Sequence, residues 1–243
     1  MSEQRRGDVR SGARTSPSSA ARSDPLGSVN DPRAAPRADT ARAEQIRASR
    51  QKVLAAARDL FLRRGYYGTT IEAVAQRARV SPQTVYNVVG GKAALLKSVY
   101  DVTIAGDDEP VPMSDRPAYA DIAAAPDARS AFDLYARIGR EMLSRARPLI
   151  TVIYVEGPGR DPELRAFVDK IEQERATGTA QMAHHIATRF GLRPGLTETE
   201  AADILWALTA PELADRFTRR RGWTLDRYER WLAQAMATAL IGP

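Results

Sequence analysis

The stretch from residue 69 to residue 92, TTIEAVAQRARVSPQTVYNVVGGK, constrains the fold of this chain more than any other part. Its first half has apolar residues at helical spacing, and Arg79-Val80 then interrupts the pattern. Ser81-Pro82 follows, a pair typical of a helix N-cap and first turn, because the serine hydroxyl caps backbone N–H groups and proline lacks one. The stretch therefore predicts two short helices joined by a tight turn, which can place the second helix in a DNA major groove.

Helical signals continue on both sides of this stretch. Gly65 is expected to end a first helix as a left-handed cap, and Thr69 with Glu72 forms the pattern of a capping box for the next helix. Gly90-Gly91 breaks the chain before a fourth helix that starts at Lys92. The buried face of the first helix is expected at Ile46, Val53, Leu54, Ala57, Leu60 and Phe61.

Positive charge is concentrated on the same region. Residues 1–39 carry seven Arg and five acidic residues, for +2, and residues 40–100 carry eleven Arg or Lys and three acidic residues, for +8. Residues 101–243 carry eighteen basic and 22 acidic residues, for −4. A basic run is commonly a solvated surface and nothing more. Here it coincides with the helix-turn-helix pattern, and the two signals together favour DNA binding.

Residues 1–39 form a tail rich in Arg, Ser, Pro and Ala, with almost no large apolar side chains. Such a segment buries too little apolar surface to offset the entropy of ordering, so we expect it to be disordered. Its arginines suit contacts with DNA phosphates or the minor groove, as in basic arms. The near-balanced charge of the tail favours a solubilising or vestigial segment over that role.

The pattern changes after the fourth helix. Residues 106–125 contain three prolines and many small residues and predict a loop or a poorly formed segment. Helical spacing resumes near Asp127, Leu149–Val155 indicates a short buried helix, and caps at Asp161 and Thr197 start further helices. No stretch alternates with period two for long enough to predict a strand. The sequence thus predicts an all-α chain with a disordered tail at 1–39, a helix-turn-helix domain of three to four helices at 40–105 and a C-terminal helical bundle at 106–243.

The composition excludes several classes of function. The chain has no cysteine, and its two histidines, His184 and His185, are adjacent and point about 100° apart on a helix, so no metal site is expected. We find no convergent acid–base set or nucleophile motif, and we expect no catalytic residue, enzyme activity or cofactor. An apolar run of the ~20 residues needed to span a membrane and a secretory signal core are both missing, which fits a cytoplasmic protein.

Residues 44–104 resemble the N-terminal domain of the TetR family of transcriptional regulators. The resemblance rests on residue type and spacing at Gly65, Thr69-Thr70, Val74-Ala75, Val80-Ser81, Thr84, Tyr86, Lys92 and Ala94-Leu95-Leu96. Ala202–Thr218 and Trp223–Leu240 are similar to the C-terminal regulatory domain of one branch of the family, through softer apolar patterns. The resemblance implies a DNA-binding domain followed by a domain for ligand sensing and dimerisation.

The chain departs from the family pattern at two places. Arg79 occupies the turn position where the family usually has glycine, so the turn is either different or strained, because a non-glycine residue at positive φ is costly. Val88-Val89 stands where the family commonly has His-Phe, which removes one polar group from the side that faces the groove. Neither departure changes the expected fold.

The helix at Pro82–Val88 is expected to read base edges. Gln83 carries an amide donor and acceptor suited to adenine, and Thr84 offers a methyl group to thymine. Thr70 and Lys92, each at a helix start, are expected to bind phosphate, although Thr70 and Ser81 also suit plain capping. The residues expected to contact DNA are Thr70, Ser81, Pro82, Gln83, Thr84, Tyr86, Asn87 and Lys92.

The last two helices carry apolar residues that we expect to form a dimer interface. One helix-turn-helix covers little DNA, and a two-fold dimer places two recognition helices about 34 Å apart on successive major grooves. Two helices from each subunit would then form a four-helix contact, with ordinary core as the alternative for any one residue. The expected interface residues are Leu205, Trp206, Leu208, Tyr228, Trp231, Leu232, Ala235, Met236 and Ala239.

The resemblance also implies a ligand cavity among the helices of residues 127–190. The candidate lining residues are Phe132, Tyr135, Met142, Ile153, Tyr154, Met182 and His185, with packed core as the alternative for all seven. The chain is thus expected to be a homodimeric repressor that a small-molecule effector releases from a palindromic double-stranded DNA operator. A constitutive architectural DNA-binding protein is the alternative, and a helical enzyme is a distant third.

Overall fold

The computed structural model describes residues 34–156 and 161–242, and the regular secondary structure within these two ranges is helical throughout. The helices are α1 (Ala34–Arg64), α2 (Ile71–Ala78), α3 (Pro82–Val88), α4 (Lys92–Ala105), α5 (Pro117–Ala124), α6 (Ala128–Glu156), α7 (Pro162–Arg189), α8 (Glu198–Leu208), α9 (Pro211–Asp215) and α10 (Leu225–Ile241). A 3-10 turn at Met113–Asp115 precedes α5, and a π-helical turn at Arg216–Arg220 follows α9. The all-α prediction, with a helix-turn-helix near the N-terminus and a helical C-terminal part, is confirmed.

The first helix starts earlier and ends where the sequence predicts. α1 begins at Ala34, inside the segment that the sequence analysis assigns to a disordered tail, and residues 1–33 of that segment lie outside the described residues. Gly65 follows α1 with φ of 68°, and its N–H donates to the Phe61 carbonyl at 3.0 Å. The left-handed cap at Gly65 is therefore confirmed.

Helices α1 to α4 share one hydrophobic core with the end of α6 and the start of α7. Its fully buried members include Val53, Ala57, Phe61, Val74, Val85, Leu95, Leu96, Leu149, Ile153 and Leu164. This core extends past residue 105, where the sequence predicts a domain boundary. Ile46, which the periodicity of α1 assigns to the buried face, is instead 50% exposed.

The N-cap of α2 is Thr70, one residue later than the capping-box pattern predicts. Thr70 is extended, with φ of −120° and ψ of 157°, and its hydroxyl accepts a hydrogen bond from the N–H of Ala73. Thr69 is fully buried, and its hydroxyl donates to the Gly65 carbonyl at 2.8 Å. Thr69 thus fastens the turn between α1 and α2, which leaves Thr70 at the exposed helix start.

The turn between α2 and α3 contains a strained residue. Arg79 is left-handed, with φ of 57° and ψ of 45°, and no other non-glycine residue in the described ranges has positive φ. Its N–H donates to Gln76, and the N–H of Val80 donates to the Ala75 carbonyl at 3.0 Å. The latter is the bond that closes a Schellman motif. The turn therefore keeps the geometry that glycine favours, and Arg79 bears the strain.

Two expectations for the chain after α4 need correction. Residues 106–125 include the helix α5, which packs on α6, although its weak pattern buries Ile122 and little else. Leu149–Val155 is not a separate short helix. It is the last part of α6, which continues through Pro148. The expected caps at Asp161 and Thr197 are confirmed, since both side chains accept backbone N–H bonds at the starts of α7 and α8.

A second hydrophobic core joins α5, α6, α7, α8, α9 and α10. Helix α10 packs along α6 and α8, and α7 packs along α8. The fully buried members of this second core include Phe132, Ala131, Ala183, Ile186, Ala201, Leu205, Met236 and Leu240. In the described ranges, none of the helices combines the length and the apolar character that crossing a bilayer requires.

The strain at Arg79 leads to a stability prediction. Replacing Arg79 by Gly removes the steric cost of the left-handed conformation, so the free energy of unfolding should rise by about 1 kcal/mol in urea denaturation. The control is Gln76→Gly, an exposed position inside α2, which should lower it by about 1 kcal/mol. A loss of stability in Arg79→Gly would show that the arginine side chain outweighs the strain.

Candidate nucleic-acid interface and effector cavity

The start of α3 is held by Ser81. This residue is extended, with φ of −77° and ψ of 153°, and its hydroxyl accepts from the N–H of Thr84 at 3.0 Å. The Ser81 and Thr84 hydroxyl oxygens are also 2.8 Å apart, within hydrogen-bond distance. Pro82 occupies the first turn, where its missing N–H costs no bond. The cap predicted from Ser81-Pro82 is confirmed.

One side chain anchors α3 and most of the others face outward. Val85 is fully buried, whereas Gln83, Tyr86 and Asn87 are exposed, Tyr86 by 50%. The Gln83 amide nitrogen donates to the Asn87 side-chain oxygen at 2.9 Å. This bond does not use the side-chain oxygen of Gln83 or the side-chain nitrogen of Asn87. α3 therefore presents paired amides and a phenol, the donor and acceptor groups that read base edges and phosphates.

The side chain of Lys92 lies over an aromatic pair at the start of α4. Its Nζ is 4.1 Å from the ring centroid of Tyr66 and 5.9 Å from that of Tyr67. Burial, and then a hydrogen bond with Asp161 at the start of α7, raise the pKa of the Tyr66 phenol. The ammonium is thus positioned by a cation–π contact at the connection between α1 and α2. Sequence reasoning missed this pair, although two tyrosines directly after a helix-ending glycine are a visible signal.

A large cavity of about 1220 Å³ lies among α1, α4, α5, α6, α7, α9 and α10. Ligand pockets usually measure roughly 300–1,000 Å³, so this one has room for a large molecule. Helices α6 and α10 line the cavity with mostly apolar residues, namely Tyr135, Ile138, Gly139, Met142, Leu143, Ile150, Tyr228 and Leu232. Helix α7 adds a more polar stretch, with Glu174, Arg175, Thr177, Thr179 and Gln181 beside Ile171 and Gly178.

Charged side chains line the cavity mainly where α1 and the α4–α5 connection meet it. We call residues 106–116 the strap. Arg116 binds Asp107 with two hydrogen bonds, of 2.7 and 2.9 Å, and so closes the strap on itself. These bonds hold the pKa of Asp107 at about 2, so this carboxylate stays charged at any physiological pH. Arg47 and Arg50 of α1 complete this part of the wall.

Phenol groups supply neutral hydrogen-bonding capacity inside the cavity. Burial raises the pKa of both Tyr119 and Tyr135, so each phenol keeps its proton and remains a donor. Tyr135 lies on the same wall as the apolar residues of α6, and Tyr119 comes from α5. The cavity can thus hold a largely apolar molecule and donate hydrogen bonds to it.

Comparisons with known proteins agree with this geometry. Residues 53–99, which span the second half of α1 through most of α4, match the family model described as "Bacterial regulatory proteins, tetR family". These residues therefore carry the N-terminal domain of the TetR family. Members of this family are DNA-binding transcriptional regulators, and α3 lies inside the matched residues.

Solved structures of two bacterial regulators share the fold of this chain. NalD of Pseudomonas aeruginosa, the secondary repressor of the MexAB-OprM multidrug efflux pump, aligns with a TM-score of 0.63 at 22% identity, over 82% of this chain and 98% of NalD. FadR of Bacillus subtilis, solved in complex with stearoyl-CoA, aligns with a TM-score of 0.62 at 16% identity, over 79% of this chain and 98% of FadR. A search of curated protein sequences gave no match.

The seven effector-contact residues expected from the sequence divide into two groups. Tyr135 and Met142 lie on the cavity wall. The other five lie elsewhere among the described residues. Phe132 and Met182 pack in the second core, and Ile153 packs in the first. The Tyr154 hydroxyl donates to Glu172 at 2.5 Å, and the His185 ring contacts Phe190 edge-on. Helical periodicity marks buried positions but does not separate a filled core from a hollow one.

The nine expected dimer residues also divide. Leu205, Tyr228, Leu232 and Met236 are buried within the chain itself and are therefore core, which corrects the expectation for these four. Trp206 is 41% exposed, and Leu208, Trp231, Ala235 and Ala239 are partly exposed. The partly exposed residues lie on α8 and α10, which pack on each other. Any partner surface on these two helices is consequently narrower than the periodicity predicts.

Two substitutions at Ser81 separate its role as a helix cap from a contact with DNA. Ser81→Ala removes the cap of α3 and should lower the free energy of unfolding by about 1 kcal/mol in urea denaturation. Ser81→Asp keeps a capping oxygen, so the unfolding free energy should change by less than about 0.5 kcal/mol. Its added negative charge should nevertheless weaken binding to every duplex, as measured by fluorescence anisotropy. Equal DNA affinity for Ser81→Asp and the unchanged protein would place Ser81 away from the phosphates.

Proposed function

We propose that this TetR-family protein is a homodimeric repressor that binds a palindromic DNA operator through α3 and is released from it by a large, mostly apolar effector in the cavity. The observation that carries the proposal is the combination of an outward-facing, capped α3 with a cavity of about 1220 Å³ whose wall includes α1 and α4 of the same hydrophobic core. Its place of action is the cytoplasm, where the DNA is.

The DNA contacts proposed for this protein follow from exposure and charge. Gln83, Tyr86 and Asn87 are the exposed polar or aromatic residues of α3 and are assigned to bases or phosphates. Thr70 is exposed at the start of α2, where the backbone N–H groups of the first helical turn and the helix dipole favour the binding of a phosphate. Lys92, at the start of α4, is assigned to the DNA backbone.

The effector class follows from the cavity wall. Its apolar side chains and protonated phenols suit a long apolar molecule with a few hydrogen-bond acceptors. FadR of Bacillus subtilis has been solved with stearoyl-CoA, and this compound is a practical first probe for a cavity of this size. Binding to the cavity changes DNA affinity only if the effector prefers a conformation other than the DNA-bound one.

The proposed dimer uses the outer sides of α8 and α10. Trp206 is exposed on α8, and Trp231 and Ala235 are partly exposed on α10. Large aromatic side chains at the surface are enriched in protein interfaces. A two-fold contact through these helices would give two recognition helices for the two halves of a palindrome.

An architectural DNA-binding protein is the second candidate, favoured by the concentration of positive charge in residues 40–100. Such a protein would bind all duplexes with similar affinity and would need no cavity. Enrichment of bound duplexes from a random library separates the two candidates. The repressor proposal expects a recovered sequence with two-fold symmetry, whereas the architectural alternative expects no sequence in common.

Two substitutions should separate base reading from phosphate binding. Gln83→Ala should cost about 1–3 kcal/mol on the enriched operator and little on random duplex, because a base contact is lost. Lys92→Ala should weaken binding to both duplexes and reduce the slope of log affinity against log salt by about one unit.

Lys170→Ala is the matched control for these measurements, because it removes the same charge from an exposed position on α7. It should leave both the affinity and the salt slope unchanged. If Gln83→Ala weakens specific and random duplex equally, its role in base reading is rejected.

Gly139 offers a way to fill the cavity without disturbing the fold. It lies on the cavity wall within α6, and a Cβ placed there meets no other heavy atom within 4 Å. Gly139→Phe should therefore project a ring into the cavity. Stearoyl-CoA should weaken operator binding of the unchanged protein by about ten-fold. We expect Gly139→Phe to keep its operator affinity but to lose this response to stearoyl-CoA.

Gly139→Ala is the control for the filled cavity. Its methyl group is too small to block the cavity, so the response to stearoyl-CoA should remain, and the free energy of unfolding should rise by about 1 kcal/mol because alanine favours helix. Free coenzyme A, which lacks the acyl chain, should leave operator affinity unchanged. An undiminished effector response in Gly139→Phe would place the effector outside this cavity.

A further inference from the structure

Arg50 of α1 links α3, which is assigned to DNA binding, to the strap, which lines the cavity. Its guanidinium Nη1 donates to the backbone carbonyl of Val88 at 3.2 Å, and its Nε donates to the Asp108 carboxylate at 3.3 Å. Both side chains are largely shielded from water, with 30% of Arg50 and 18% of Asp108 exposed. The guanidinium therefore forms one rigid link between the recognition helix and the strap.

The bond to Val88 fixes the far end of α3. Val88 is the last residue of this helix, and the carbonyls of a final turn have no partner within the helix. A cation at that end also interacts favourably with the helix dipole. Ser81 holds the start of α3 and Val85 seats its middle, so Arg50 supplies the third point of attachment.

The bond to Asp108 ties α1 to a wall of the cavity. Arg50 and Asp108 both line that cavity. The strap that carries Asp108 is closed by the two bonds between Arg116 and Asp107. Because the strap is closed in this way, displacing any part of it should also move Asp108. A molecule that displaces the strap would therefore move Asp108, which is hydrogen-bonded directly to Arg50.

We propose that Arg50 is the positioning residue that couples occupancy of the cavity to the orientation of the recognition helix. This inference rests on the proposed effector-released repressor and names its route of regulation. Asp108 orients the guanidinium so that it reaches Val88. An effector that displaces the strap withdraws Asp108, the guanidinium loses its orientation, and the C-terminal end of α3 is released from its DNA-binding position.

Hydrogen exchange of the effector-free protein tests the link itself. In Asp108→Ala and in Arg50→Lys, which keeps the charge but lacks the planar fork that meets both partners, the amides of residues 88–91 should exchange about ten-fold faster. Asp115→Ala is the matched control, because it removes the same charge from the strap without touching Arg50, and its exchange should match that of the unchanged protein. Exchange that is equally slow in all three variants overturns the inference.

The coupling of effector and operator tests the regulatory role. Operator affinity is measured for each variant with and without stearoyl-CoA. The unchanged protein and Asp115→Ala should lose about ten-fold in affinity on adding the probe, whereas Asp108→Ala and Arg50→Lys should lose less than about three-fold. A merely structural role for Arg50 would lower thermal stability and leave this ratio unchanged, which overturns the inference.

The failure of the proposed function has a different signature. If stearoyl-CoA binds the unchanged protein but leaves operator affinity unaltered, release by this probe is rejected whatever the variants do. In that case the exchange experiment decides whether the link exists: faster exchange at residues 88–91 in Asp108→Ala supports it, and unchanged exchange rejects it.

Discussion

The seating of α3 by one buried side chain is the constraint on which the DNA-binding surface depends. A seven-residue helix is too short to be stable alone in water. Val85 contributes the apolar burial of one valine, about 1.5–3 kcal/mol. Val88 packs partly buried against the same core, and Gln83, Tyr86 and Asn87 stay exposed. The helix is therefore held chiefly at its ends, by Ser81 and the Arg79 turn on one side and by Arg50 on the other. Such a helix keeps its form while its orientation stays adjustable.

The two hydrophobic cores explain how the cavity can affect α3. Helices α6 and α7 contribute Leu149, Ile153 and Leu164 to the core that also holds α1 to α4. The same two helices line the cavity through other residues, such as Gly139 on α6 and Gly178 on α7. Packed cores respond to displacement by shifting whole helices, because they have little free volume in which to absorb it. Under the proposed function, a change in the cavity would thus be transmitted to the packing around α1 and α4.

Local signals predicted the fold well, and the site less completely. The cap at Ser81, the left-handed Gly65 and the start of α4 at Lys92 depend on residues within one turn of each other, so the sequence alone identifies them. Thr69 and Thr70 are both competent caps, and only the buried bond of Thr69 to Gly65 decides between them. The cavity and the outer sides of α8 and α10 depend on how distant helices pack. Periodicity therefore could not tell the buried Leu205 from the exposed Trp206.

The position of Arg50 shows why an arginine suits this role better than a lysine. The planar guanidinium offers donors in fixed directions, so it meets the Val88 carbonyl and the Asp108 carboxylate at once, whereas an ammonium would favour one of them. Each bond alone is modest in a partly exposed site. The two bonds depend on one orientation of the guanidinium. Loss of the bond to the Asp108 carboxylate therefore leaves the guanidinium free to rotate away from the Val88 carbonyl. A small displacement of the strap is in this way converted into the loss of a contact at the end of the recognition helix.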